Sequence, residues 1–294
     1  MIVYRRFKTL LFTLVFASFV CLTTSIDAGA QNTTSGVTPD NKSQAEIDGI
    51  IKAFSAKETR FRQALNDYAF KRDAVIQTIG LGGQAITGEY HRVSFFTFDN
   101  SGNRYEKINF FPQPTLTELS FTAEDLEDLG GIQPFALEAA KIDRYNFRYL
   151  GREKIDEVTT YVFDVSPKVM PDPKKLQDRL FLGRVWVDDR DLQIVKVKGK
   201  GVPETKNNKY PVFETWRDQV DGRFWFPVYT FADDSLEFGN GQIVRLRMKV
   251  TYTDYKKAHT SVKITEANGD ELETVPDKNP KPSPSPIPAD PKKP

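Results

Sequence analysis

Apolar and polar positions alternate most cleanly between residues 145 and 200. In YNFRYLG, Tyr145, Phe147 and Tyr149 share one face and Asn146 and Arg148 the other. This period of two marks a half-buried strand, because successive side chains point to opposite sides of a sheet. Gly151 is expected to close that strand, and the polar stretch 152–157 to link it to TTYVFDVSP, where Tyr161, Phe163 and Val165 share a face. Pro167 has no N–H to give to a ladder and ends the second strand, so the two form a predicted antiparallel hairpin. RLFLGRVWVDDRDLQIVKVKGK then reads as two more strands about a polar turn at 188–191, with Trp186 and Ile194 on either side.

Outside this block the pattern switches period once, near the start. Ser43 and Glu46 make an S-x-x-E capping box, and Ile47, Ile50, Ile51, Phe54, Phe61 and Leu65 recur at helical spacing. An amphipathic helix is predicted from Ser43 to near Asp67, then strands over 68–79, 89–98 and 104–111, with turns at 80–83 and 99–103. Between 112 and 143 the alternation lapses. Thr122 caps a short helical run, AEDLEDL, which Gly130, Gly131 and Pro134 break. A segment placed there fits a lid over the sheet and ordinary packing alike. After a polar link at 203–210 comes a hairpin about Asp221 and Gly222, bent at Pro227, and then a turn at 239–241. In the strand 242–255, Val244, Leu246, Met248, Val250 and Tyr252 oppose Arg245, Arg247, Lys249, Thr251 and Thr253, so one face is predicted buried and one wet. Val262, Ile264 and a turn at Asn268–Gly269 finish the domain. The fold class is mainly β, an antiparallel sheet with an N-terminal helix and a short helical interruption, in one domain over 43–274.

The ends carry a different chemistry. Residues 1–30 join a basic start, Arg5, Arg6 and Lys8, to an apolar stretch and an A-x-A site at Ala28–Ala30, which predicts a signal peptide cut after Ala30 and an exported, periplasmic protein. A flexible leader is expected over 31–42. Residues 275–294 hold eight prolines and read as an extended, disordered tail. The net charge is +1, about −1 once the signal segment is gone, with 28% charged residues of both signs interspersed. Nucleic-acid binding needs a basic face and is not expected.

Candidate chemistry is sparse. Cys21, the one cysteine, lies in the signal segment, which removes disulfides and thiolate chemistry from the exported chain. His91 and His259 are far apart, so no triad or histidine metal site is expected, and no nucleophile elbow, zinc-protease helix, phosphate loop or dinucleotide fingerprint occurs. Asp188, Asp189 and Asp191 lack the glycine and distal glutamate of a calcium loop and read as a polar turn. Neither enzyme activity, cofactor nor metal is expected. The 12% aromatic content suits a core or the lining of an apolar cavity.

YNFRYLGREKI with TTYVFDVSP, then FLGRVWVDDRDLQIVKVKGKG, VDGRFWFP and VTYTDYK, in this order after a signal peptide and a leading helix, resembles the bacterial lipoprotein-sorting superfamily of LolA, LolB and RseB-like proteins over about 43–263. The resemblance implies a strongly curved antiparallel sheet, an incomplete β-barrel closed by helices around an apolar cavity. It also implies a periplasmic carrier of lipid or lipoprotein acyl chains that works with an inner- or outer-membrane receptor. One long acyl chain is worth on the order of 10 kcal/mol gross, at about 0.8 kcal/mol per buried CH₂. Candidate cavity residues are those of the regular apolar faces: Phe147, Tyr149, Phe163, Val244, Leu246, Met248 and Val250. The alternative is an RseB-like envelope sensor or adaptor that binds a protein partner on the same sheet. The oligomeric state is not legible.

Overall fold

A capping box starts the first helix, α1 (Gln44–Leu65). The Glu46 N–H donates to the Ser43 hydroxyl at 3.3 Å, and the Ser43 N–H donates to the Glu46 carboxylate at 2.8 Å, so two of the otherwise orphaned first-turn donors are satisfied. The computed structural model describes residues 36–80, 82–99, 101–119, 121, 125, 137–173 and 179–258, all within the unit Gly36–Pro294. The signal segment, the capped helix at Thr122, the strand around Val262 and Ile264, His259 and the tail lie outside the described residues.

Ten strands follow α1: β1 (Tyr68–Ile79), β2 (Ile86–Phe98), β3 (Arg104–Phe110), β4 (Tyr145–Ile155), β5 (Val158–Pro167), β6 (Leu180–Asp188), β7 (Ile194–Val202), β8 (Phe213–Gln219), β9 (Trp225–Glu237) and β10 (Ile243–Lys257). They form one antiparallel sheet in the order β3-β2-β1-β10-β9-β8-β7-β6-β5-β4. Every neighbour is adjacent in sequence except β1 and β10, whose pairing joins a three-stranded meander to a seven-stranded one. The edges β3 and β4 do not pair with each other, so the sheet is open rather than a closed barrel.

The face on which α1 packs is the inner face. On β10, Val244, Leu246, Met248, Val250 and Tyr252 are all buried, as the alternation predicts. Their register with β1 sets Thr78 beside Leu246, Ile76 beside Met248 and Ala74 beside Val250. On the wet face Arg245 and Arg247 share Asp233, at 3.1 and 3.0 Å. Along α1, Phe54 meets Phe147 and Phe163, with ring centroids 5.8 and 5.9 Å away, and Phe61 meets Phe226 at 5.5 Å. Aromatic pairs of this kind contribute about 0.5–1.5 kcal/mol each beyond burial of area. Between the two phenylalanines the same stripe carries Glu58, fully buried and bidentate on Arg217 of β8 at 2.6 and 3.1 Å. A smaller cluster of Val162, Trp186 and Val195 packs with Val37 apart from the main core.

Two readings change. β4 does not stop at Gly151 but runs to Ile155 through a register shift between Tyr149 and Gly151. Gly151 has φ +131°, a backbone conformation that side-chain-bearing residues avoid. A Cβ there would also strike the Thr38 carbonyl. Thr38 is part of the second change. Residues 36–42, expected in a flexible leader, lie along the β4 edge, where Thr38 and Arg152 exchange backbone hydrogen bonds of 2.7 and 2.8 Å. Asp40 accepts there from Arg152 Nε at 2.9 Å and from the Tyr149 hydroxyl at 3.0 Å.

Candidate functional site

α1 packs on β4, β5, β8 and β9 through Phe54, Glu58 and Phe61, and three loop segments lie around the ends of β1, β8, β9 and β10. Beneath these lies a cavity of about 330 Å³. Its floor is apolar because it is built from inward positions of alternating strands: Ile76, Phe213, Leu236, Leu246 and Met248. Leu119 and Phe121 come from the strap that follows β3, and Phe238 from the turn after β9.

Geometry around Gly88 fixes the path of the strap. The Thr115 N–H donates to the Glu89 carbonyl at 2.9 Å, and the Glu89 N–H donates to the Thr115 hydroxyl at 2.9 Å. The strap therefore crosses β2 in close contact, and a Cβ at Gly88 would lie 2.9 Å from the Thr115 carbonyl oxygen. Gly88→Val is expected to lift the strap at a cost of about 1–3 kcal/mol for overpacking. Faster hydrogen exchange confined to 112–121 and residues they touch is the expected readout, while wild-type exchange in the strap would contradict this geometry.

The mouth is polar and its charges are largely balanced. Arg179 pairs with Asp125 at 3.0 Å and lies over the Tyr210 ring at 4.5 Å. Burial, opposed by Arg179 and Asn208, raises the Tyr210 hydroxyl above the ordinary tyrosine range, so it stays neutral. The Asn208 side-chain amide donates to that hydroxyl at 2.9 Å, and the Tyr210 N–H donates to Glu204 at 3.1 Å. The Gly239 N–H donates to the Lys206 carbonyl at 2.7 Å, which ties the link after β7 to the turn after β9. Lys209, Asn207, Glu118, Asn240 and Gln242 complete the rim.

The structure separates the seven sequence candidates. Leu246 and Met248 line the cavity. Val250 and Val244, on the same face of β10, are buried at 0% and 3% exposure and do not line it. Phe147, Tyr149 and Phe163 sit on β4 and β5, two of them packed on Phe54 of α1, with Tyr149 5.2 Å from the Phe163 ring. Sequence reading missed Leu119, Phe121 and Phe213, and also the rim, which reads as a plain polar link because nothing local shows that it folds over a cavity. The aspartates at 188–191 serve their turn: Asp188 and Asp191 accept the N–H groups of Arg190 and Gln193. His91 meets Asp73 at 2.9 Å on neighbouring strands. Among the described residues, no three His, Cys, Asp or Glu side chains converge as metal ligands would, and no helix is long and apolar enough to cross a membrane.

No protein-family model matches the chain, and no curated protein matches it. Solved structures to which it is similar include a LolA superfamily protein from Nitrosomonas europaea, at 16% identity over 73% of this chain and 94% of that one, with a TM-score of 0.31. Another is a DUF1329 family protein from Desulfovibrio piger, at 14% identity over 72% and 95%, TM-score 0.35. A third, named for outer membrane lipoprotein sorting, is a domain from Vibrio parahaemolyticus, at 10% identity over 71% and 94%, TM-score 0.32. At TM-scores of 0.31 to 0.35 these likenesses carry no argument about the site, whose chemistry rests on its own residues.

Proposed function

We propose that this chain is an exported, non-enzymatic carrier that shelters the acyl part of a lipid or lipoprotein in the cavity over Ile76, Leu246 and Met248. It gives that cargo up to a more apolar acceptor, a membrane or a membrane receptor. The observation that carries the reading is the cavity itself, with its apolar floor and polar, nearly balanced mouth. Pockets of about 300–1,000 Å³ are the usual size for small ligands. In this reading Leu246 and Met248 touch cargo, Phe147 and Phe163 hold α1 with Tyr149 packed behind Phe163, and Val244 and Val250 back the floor. The leader at 1–30 directs the chain to the periplasm.

The energetics suit a carrier. About ten sheltered methylenes contribute roughly 8 kcal/mol at 0.8 kcal/mol each, against an association cost of about 4–15 kcal/mol. At the low end of that cost a chain is held by about 4 kcal/mol net, a Kd of about 1 mM, weakly enough for a membrane to take it back, with no nucleotide or metal in the step. Titration with a fluorescent single-chain fatty acid is the test: saturable uptake at one probe per protein is expected, and no uptake at any concentration below the probe's own aggregation would refute the carrier.

A second reading rests on β3. Tyr105, Ile108, Phe110 and the adjoining Phe111 are 44–49% exposed on an edge strand. An exposed apolar edge is a template for strand addition by another protein, which is the surface a sensor or adaptor would use. Ile108→Lys separates the two: it leaves probe uptake unchanged in a carrier and abolishes partner crosslinking in an adaptor.

A further inference from the structure

We propose that the cavity takes a single acyl chain whose head carries a carboxylate or a phosphate, and that Lys209 at the mouth holds that head. The inference rests on the carrier reading and narrows its cargo. Size is the first argument. A water-sized group occupies about 30 Å³ in a liquid, and a methylene is similar, so such a cavity holds on the order of ten of them. At about 330 Å³ the space matches the inner part of one chain.

Charge is the second argument. The Arg179 guanidinium at the mouth is matched by Asp125, and Lys200, at the end of β7 that leads into the rim, is matched by Glu204 at 2.9 Å. Lys209 is half-buried in the same lining and has no carboxylate within ion-pair distance among the described residues. A partly desolvated ammonium next to an apolar floor is suited to an anionic head on an apolar chain, because burial of the chain brings the head to the cation and the low local dielectric strengthens their attraction. Asn207, Asn240 and Gln242 add neutral hydrogen-bonding groups to the same lining. Glu118, exposed in the same lining, opposes an anion, which gives a second handle on the head.

The experiment is calorimetric titration of the purified protein with decanoate, decyl phosphate, decanol and didecanoyl phosphatidate, each below its aggregation concentration. Decanoate and decyl phosphate are expected to bind one to one, about two- to fivefold tighter than decanol, and the phosphatidate is expected not to be held. Lys209→Gln should bring both anions to the decanol level and leave decanol unchanged. Lys209→Arg should restore them, and Glu118→Gln should tighten both. The ratio of the decanoate and decyl phosphate affinities separates a fatty-acid cargo from a phospholipid-derived one. Phosphatidate bound as tightly as decyl phosphate, or Lys209→Gln weakening decanol as much as the anions, overturns the inference and leaves the carrier reading standing. Failure of all four ligands, decanol included, overturns both.

Discussion

Replacing Glu58 by leucine is expected to cost about 3–5 kcal/mol of stability, the usual consequence of stranding one member of a buried ion pair. The side chains of Glu58 and Arg217 are 1% and 4% exposed, so neither charge finds water when the other is removed. Arg217 is held further by the Phe61 ring, 4.9 Å from its guanidinium carbon, and its Nε has no acceptor. A guanidinium that is already incompletely satisfied loses both its carboxylate oxygens in the single variant. For a domain of this size the loss lowers the melting temperature by roughly 6–20 °C, at about 2–4 °C per kcal/mol. The double replacement Glu58→Leu with Arg217→Met should recover most of that, since a buried pair exchanged for apolar residues of similar volume is often neutral or stabilising. Thermal unfolding of the three proteins decides it: a single variant within 1 kcal/mol of wild type, or a double no better than the single, would show that the pair does not hold α1 on the sheet.

Met248→Asp is expected to abolish acyl-probe uptake, with a loss of at least about a hundredfold in affinity, because an ionised carboxylate in an apolar floor costs several kcal/mol unless it is paired. Met248 is on the floor beside Ile76 and, on its other side, Ala232. The neighbouring cations on β10, Arg247 and Lys249, are at odd positions and point to the wet face, so they do not rescue it. The same change is also expected to lower stability, so it is compared with Val250→Asp, which buries a carboxylate on the same strand two residues from Met248, outside the cavity lining. Loss of uptake in the first with folding retained, against loss of folding in the second, identifies the floor. Equal uptake by wild type and a folded Met248→Asp protein would remove Met248 from the site.

The parts of this fold that were legible in the sequence are those set by local period. β1 begins and ends where the alternation does, the five buried residues of β10 are the five predicted, and the Ser43–Glu46 box starts the helix. Glu58 carried a readable signal that apolar counting passes over: it falls between Phe54 and Phe61 on one helical stripe, and a charge on a buried stripe requires a partner. Its partner, Arg217, lies 159 residues away on β8 and is not marked by anything local. The misreading of Gly151 has the same origin, because the contact that demands glycine comes from Thr38, far off in sequence. The cavity is the extreme case. Its floor follows from strand period, but its walls come from a strap, a link and a turn that meet only when β10 pairs with β1, and pairing between the first and last strands of a sheet is a long-range event that local pattern does not encode.

Native mass spectrometry with lipid extraction, on the protein exported to and purified from a bacterial periplasm, addresses the carrier reading most directly. A carrier gives a chain mass increased by one acyl-bearing ligand, displaced by decanoate and absent from Met248→Asp. A bare chain mass with no uptake of added lipid would contradict the carrier and transfer attention to the apolar edge at β3.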